Sequence, residues 1–532
     1  MTEKRLIAVF VLFTSFAFLI ELNMVHINIS DRYHTKARNQ QTRQYIIDDD
    51  RAVITDCNSD NITNTVTGYK TLVTAYDDDL QQVFNALTEK EKADFETNIK
   101  NRKNFMAEIT YPIENRVVYE VTQRYSDFNI AQHLTGYTDS EGNGVTGMEK
   151  VFDSILKGGK TVRFIEAQVN GYGEITSMEN NEKTDNEYGV PIQLSLTIDN
   201  TIQRLCEGIA KEYIPDGSIV VMESDTGKIK AMVSTPFYTA NNVAAALHME
   251  NSPLVNKALQ AFEPGSVIKP LWAAVLLENG YSKNKIYNCT GTIEINDHQY
   301  HCNNNKAHGE IDMEQALVVS CNCYFVNASV KNKAFSYSQI GSALQFGSNI
   351  YLTENYCTSA GYFPTNNELD NLGQLASVSF GQGKLLLTPI HIAAYMNIFA
   401  NEGRYVYPQV AQGIYNAESG NRIINLYSFD EKQVISPETA QKVKSMLQSV
   451  VQDGAMGRAA PQQLSAGGKT GTAQTGRYNE KGKEILTAWF CGFYPYENPE
   501  YTICITMYNG GESTYTAAPV FKKICDSLYY LK

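Results

Sequence analysis

The stretch Glu263-Pro264-Gly265-Ser266-Val267-Ile268-Lys269-Pro270 constrains this chain most, because it sets a hydroxyl and an amine three residues apart. A helix opening at the Pro-Gly turn puts Ser266 and Lys269 on one face, within reach of each other. A serine hydroxyl is a poor nucleophile until a base takes its proton. A lysine amine serves as that base only where burial or a neighbouring cation keeps it neutral. An activated Ser266 therefore demands a fold that buries this stretch and brings further polar groups to it.

The spacing alone is a weak signal, since Ser154-Ile155-Leu156-Lys157 and Ser282-Lys283-Asn284-Lys285 share it. Ser266 is distinguished by its company. Ser320-Cys321-Asn322 follows the apolar run Ala316-Leu317-Val318-Val319, and Lys469-Thr470-Gly471-Thr472 holds the single K-T-G of the chain. S-x-x-K, then S-x-N, then K-T-G is a pattern of serine acyl transfer. Ser59-Asp60-Asn61 precedes any S-x-x-K, and Ser419-Gly420-Asn421 sits in a polar turn.

With these residues in view the chain resembles the class B penicillin-binding proteins, the monofunctional peptidoglycan D,D-transpeptidases. Leu196-Thr197-Ile198-Asp199 with Ile202-Gln203, Asp225-Thr226-Gly227, His308-Gly309, Phe380-Gly381-Gln382-Gly383, Thr388-Pro389 and Ala400-Asn401-Glu402-Gly403 look like further marks of that family. Gly468 to Gln474 and Ala517-Ala518-Pro519-Val520-Phe521 extend the likeness, which runs from about Pro191 to Lys532. It implies the fold of serine β-lactamases. It implies Ser266 as nucleophile, Lys269 as its base, Ser320 as proton relay, Asn322 as a substrate and Lys269 partner, and Lys469 as a positive charge. Thr470, Gly471 and Thr472 would line the substrate, and the backbone N–H groups of Ser266 and Thr472 would form the oxyanion hole. The expected ligands are D-Ala-D-Ala stem peptides and β-lactams, and the expected partner is a membrane glycan polymerase. No metal or organic cofactor is expected.

Strand-like stretches at Ser218 to Met222, Lys228 to Val233, Ala488 to Phe493 and Tyr501 to Met507, with helix-like Pro437 to Gln452, predict an α+β domain: an antiparallel sheet flanked by helices. Upstream, Lys4-Arg5 precedes an apolar run from Leu6 to Ile20 that continues loosely to Val25. No small-x-small cleavage pattern follows, so the run reads as a membrane anchor with the N-terminus inside and the rest outside the cytoplasm. The expected division is a cytoplasmic tail at 1–5, a transmembrane anchor at 6–25, a non-catalytic pedestal at 26–188 and a transpeptidase domain at 189–532. In the pedestal Leu80 to Lys103 reads as one amphipathic helix and Arg116 to Tyr125 as a strand. Ala37-Arg38-Asn39 and Gly144 to Glu149 look like marks of the family's pedestal, while Arg43-Gln44-Tyr45-Ile46 lacks an expected glycine. No glycosyltransferase domain fits ahead of the transpeptidase domain. A net charge of −13 makes the chain a poor nucleic-acid binder.

Ten cysteines remain to be placed. Cys289 and Cys302 bracket a hairpin-like stretch and are the best disulfide pair outside the cytoplasm. His298, His301, Cys302 and His308 lie close in sequence, but their spacing matches no standard metal pattern. Cys321 and Cys323 read as small buried residues on different helix faces, and His133 and His391 as packed or surface histidines. A β-lactamase shares the three motifs but not the anchor, the pedestal or the long interval from Asn322 to Lys469. A β-lactam sensor would need a larger cytoplasmic part. A scaffold with dead chemistry would not need all five motif residues. A D,D-carboxypeptidase differs only in using water as acceptor.

Overall fold

The computed structural model describes residues 3–29, 41–49, 51–159, 161–184, 188–332, 336–454 and 457–531. Ala37-Arg38-Asn39 lies outside the described residues. The chain forms two units, one of residues 1–51, 66–123 and 159–189, the other of residues 52–65, 124–158 and 190–532.

The first unit begins with α1 (Glu3–Ile29), 27 residues of which none is buried. At 1.5 Å per residue it extends about 40 Å, longer than the roughly 30 Å a bilayer core requires. Two three-stranded antiparallel sheets follow. One orders Thr42–Asp48, Thr161–Val169 and Ile175–Thr184, and the other orders Phe105–Ile109, Val66–Val73 and Tyr119–Gln123. The single helix expected over Leu80 to Lys103 is two, Leu80–Ala86 and Glu89–Lys100. Leu87 leaves the helix because its backbone is extended and bridges Ile109. Val83, Ala86, Leu87 and Phe95 still bury one face, against Val73, Ala107 and Ile109.

The second unit is built on a five-stranded antiparallel sheet: β1 (Gly217–Glu223), β2 (Ile229–Thr235), β3 (Gly467–Tyr478), β4 (Glu484–Tyr494) and β5 (Tyr501–Met507), in the order β2-β1-β5-β4-β3. Its helices include α2 (Asn200–Tyr213), α3 (Lys269–Glu278), α4 (Met313–Val318), α5 (Asn322–Lys331), α6 (Pro389–Ala400), α7 (Pro437–Gln452) and α8 (Ala517–Tyr529). β1 and β5 are buried along almost their whole length, as strands covered on both faces must be. Ile202, Ile209 and Ala210 of α2 and Phe521, Ile524 and Leu528 of α8 cluster with Ile219, Val221, Phe490 and Ile505 of the sheet. α6 packs on β1, β4 and β5 and is buried from Pro389 to Phe399.

Capping explains several helix starts. The Asp199 carboxylate accepts from Thr201 and Ile202 N–H at the head of α2, and Ser436 accepts from Thr439 N–H at the head of α7, where Pro437 needs no donor. Thr388 and His391 form a reciprocal capping box on α6.

The units change at 189/190, one residue from the expected 188/189, but residues 52–65 and 124–158 also belong to the larger unit. Val53–Thr55 pairs in parallel with Ile192–Leu196, extending a sheet of the larger unit. Arg124 Nε donates to a fully buried Glu149 carboxylate at 2.6 Å within the same unit. Two upstream segments thus fold with the catalytic half.

Candidate active site

The nucleophile stretch forms a single 3₁₀ turn, Gly265–Ile268, that runs into α3. At three residues per turn the side chains of Ser266 and Lys269 eclipse, a tighter relation than the α-helical start expected. Lys269 is carried inward by its neighbours. Residues Lys269 to Leu276 are all buried, including Leu271, Trp272 and Val275, and each such apolar side chain stabilises burial by roughly 1.5–3 kcal/mol. Their combined burial outweighs the cost of desolvating one amine.

Glycines hold this turn from two sides. A Cβ on Gly381 (φ +85°) would lie 1.9 Å from the Gly265 carbonyl oxygen, and one on Gly471 would lie 2.7 Å from that of Pro264. The close approach lets Gly265 N–H donate to Gly381 O at 2.9 Å. Trp489 Nε1 donates to Glu263 O at 2.9 Å, and the Tyr395 hydroxyl donates to Val267 O. Ser266 itself stays half-buried.

Lys269 Nζ donates to Ser320 O at 2.7 Å, to Asn322 Oδ1 at 2.7 Å and to Ser320 Oγ at 3.2 Å. Lys469, equally buried, donates to Ser320 Oγ at 3.1 Å and to Thr470 O at 3.1 Å. The fold therefore gathers Lys269, Ser320, Asn322 and Lys469 from segments up to 200 residues apart in the chain. Burial lowers the Lys269 amine to about 8. Of the two means the sequence allowed, burial or a neighbouring cation, burial is the larger cause. Lys469 is lowered too, first by burial and then by the charge of Lys269.

Ser320 takes a left-handed backbone (φ +54°), uncommon for a residue other than glycine. It ends α4, where Ser320 N–H donates to Leu317 O and Cys321 N–H to Ala316 O. Asn322 opens α5, and its Nδ2 donates to His301 O at 2.8 Å. On β3, Thr472 Oγ1 lies 2.9 Å from Ser513 Oγ and accepts from Ser513 N–H at 3.2 Å. Sequence reasoning missed Ser513, which belongs to no motif and follows the last strand. It missed the supporting parts of Tyr395 and Trp489 for the same reason.

The decoys do not converge in this way. Lys157 pairs with Asp153 at 3.1 Å, and Ser282 is exposed. His133 and His391 are packed, as expected: burial lowers both to about 4, and their Nε2 atoms contact backbone carbonyls.

The cysteines depart from expectation. Cys289 and Cys302 are free thiols with sulfurs 3.8 Å apart, well beyond the roughly 2.05 Å of a disulfide. Cys321 and Cys323 do not diverge, because Cys321 is the non-helical N-cap of α5. Their sulfurs lie 3.6 and 3.5 Å from that of Cys302.

Comparison with known proteins identifies the family. Residues 217–526 match the penicillin-binding protein transpeptidase domain model. A curated relative, the peptidoglycan D,D-transpeptidase FtsI homolog of Mesostigma viride, is 28% identical over 382 residues, covering 64% of this chain and 61% of its own length. The chain thus spans about three fifths of that relative. Among solved structures, penicillin-binding protein 3 of Mycobacterium tuberculosis complexed with ampicillin matches at TM-score 0.65 and 22% identity, covering 92% of this chain and 96% of its own. A chain from a peptidoglycan synthase complex matches at TM-score 0.72 and 20% identity, covering 99% of both. The family match spans more than half of the sequence, and the chain belongs to the penicillin-binding protein transpeptidase family.

Proposed function

We propose that the protein is a serine D,D-transpeptidase that cross-links peptidoglycan stem peptides and is acylated by β-lactams. Ser266 Oγ attacks the penultimate D-Ala carbonyl while Lys269 Nζ takes its proton. The backbone N–H groups of Ser266 and Thr472 hold the oxyanion, where one donor is worth roughly a hundredfold or more in rate. The C–N bond to the terminal D-Ala then breaks, and Ser320 passes a proton to the departing amine. An amine of a second stem attacks the acyl-enzyme, forms the cross-link and frees Ser266. Asn322 holds the donor backbone, Lys469 attracts its carboxylate, and Thr470 and Thr472 hydrogen-bond that carboxylate along β3.

The observation that carries this reading is the buried amine of Lys269, lowered to about 8 and hydrogen-bonded to Ser320 and Asn322 one turn from Ser266. A neutral fraction at working pH is what a general base needs. A glycan polymerase in the membrane is the partner this reading calls for, and α1 is the anchor, with the catalytic unit outside the cytoplasm.

Intact-protein mass spectrometry after penicillin tests the chemistry. One adduct on the native chain and on Ser154→Ala and Ser282→Ala, with none on Ser266→Ala, is expected. Labelling that survives Ser266→Ala refutes the assignment. Cross-linked product from donor and acceptor stem peptides separates transfer from hydrolysis to the free acid.

A further inference from the structure

Four side chains with no part in the acyl transfer meet beside it. Cys289, Cys302, His308 and Cys321 bring their ligand atoms within 4.8 Å of one another. The separations are 3.8 Å for Cys289 to Cys302, 3.6 Å for Cys302 to Cys321, 3.4 Å for Cys321 to Cys289 and 3.4 Å for Cys289 Sγ to His308 Nδ1. A tetrahedron with Zn–S bonds of about 2.3 Å and a Zn–N bond of about 2.0 Å has edges of about 3.5–3.8 Å. Cys289, Cys302 and Cys321 are all buried.

Their setting suits thiolates. Gly291 N–H donates to Cys289 Sγ at 3.4 Å, and Tyr324 N–H donates to Cys321 Sγ at 3.3 Å, the sulfur hydrogen bonds that orient metal ligands. The ligands come from built elements. Cys289 and His308 lie on the paired strands Tyr287–Cys289 and Gly309–Ile311 or beside them, with His308 N–H donating to Cys289 O. Cys302 ends a hairpin, and Cys321 caps α5. A disulfide between Cys289 and Cys302 would use two of the sulfurs and strand the rest.

We propose that Cys289, Cys302, His308 and Cys321 bind one zinc ion, and that this ion clamps the Ser320-Cys321-Asn322 loop in its working shape. Three thiolates and one imidazole in a closed tetrahedron are a structural zinc donor set. The loop has reason to need a clamp. Cys321 stands between two Lys269 partners, and Ser320 holds a left-handed backbone that its neighbours must enforce. Binding would tie Cys321 to two strands outside the loop. The positioning half of the proposal rests on the transpeptidase reading above, while the metal half does not. Cys323, whose sulfur touches Cys302, is outside the ligand set.

The test starts with metal content of the full chain purified in detergent without added metal. One zinc per chain by elemental mass spectrometry is expected. Zinc well below one, together with a Cys289–Cys302 disulfide on non-reducing peptide mapping, overturns the proposal. Cys289→Ser and His308→Gln should lose the metal and Cys323→Ser should keep it, whereas loss in Cys323→Ser with retention in His308→Gln overturns the ligand set. Because a ligand variant can fail to fold, the native chain is also stripped by chelator and reloaded with cobalt(II). Intense visible d–d bands with a thiolate charge-transfer band are expected, and a weak octahedral spectrum refutes the site. Stripping should lower Tm by about 5 °C or more and slow penicillin acylation about tenfold or more, with zinc restoring both. Acylation unchanged in metal-free protein refutes the clamp. An absence of labelling in zinc-loaded native protein instead counts against the transpeptidase reading.

Discussion

Lys269 and Lys469 direct their amines at one hydroxyl, Ser320 Oγ, at 3.2 and 3.1 Å. Both side chains are fully buried. Two ammonium groups sharing one oxygen repel each other where water screens little. The arrangement favours one neutral amine, and the proposed mechanism gives the two lysines different work.

Lys269→Arg keeps a charge but removes the proposed base, because guanidinium does not deprotonate in proteins. Acylation by a chromogenic β-lactam should fall by about a thousandfold. Lys469→Arg changes reach and shape only, so measurable acylation should remain, with weaker binding and a pH optimum within about a unit of the native one. Equal rates in the two variants would show that Lys269 is not the base. The pH profile follows from sign. The amine is lowered to about 8 by burial and acts when neutral, so the native acylation rate should rise with pH and level off above about 8. Below that it should fall about tenfold per pH unit.

Ser513 holds the Thr472 hydroxyl through its own hydroxyl and its N–H. Ser513→Ala removes the first contact and leaves the second. The lost hydrogen bond is worth about 1 kcal/mol, or roughly fivefold in the second-order acylation rate. A rate unchanged at unchanged Tm would show that Ser513 does not position Thr472.

Glu149 is fully buried against Arg124, whose Nη1 also donates to Ala52 O and Asn64 Oδ1. Glu149→Ala leaves a buried guanidinium uncompensated, at a cost of about 3–5 kcal/mol. Thermal unfolding should drop by about 10 °C, and less for Glu149→Gln. A shift of a degree or less would mean that water reaches Arg124 in the variant.

Lys4 and Arg5 lie in the first turn of α1, ahead of its apolar run from Leu6, and the proposed orientation keeps them on the cytoplasmic side. Protease added to intact, wall-stripped cells should digest the chain beyond Ile29. Protection until the membrane is broken would reverse the orientation.

What the sequence determined by itself is local in its physics. The i, i+3 relation of Ser266 and Lys269, the strands around Asp225-Thr226-Gly227, the helix over Pro437–Gln452 and the apolar length of α1 all follow from periodicity, turn chemistry or composition within a few turns of chain. The order of the three motifs foretold which residues would meet, because each motif sits beside an element that must be buried. The single helix expected over Leu80 to Lys103 failed at Leu87, where bridging to Ile109 outweighed local propensity. Only the tertiary structure could decide what depends on distant partners. It decided that burial lowers Lys269, that Ser513 supports Thr472 and that Gly381 admits the nucleophile turn. It drew residues 52–65 and 124–158 into the catalytic unit through one parallel strand pair and a buried ion pair. It also turned an expected cysteine pair into a three-sulfur, one-imidazole cluster. Spacing along a chain reports neighbours within a turn, whereas the meeting of Cys289, Cys302, His308 and Cys321 depends on a hairpin, a strand pair and a helix cap packing together.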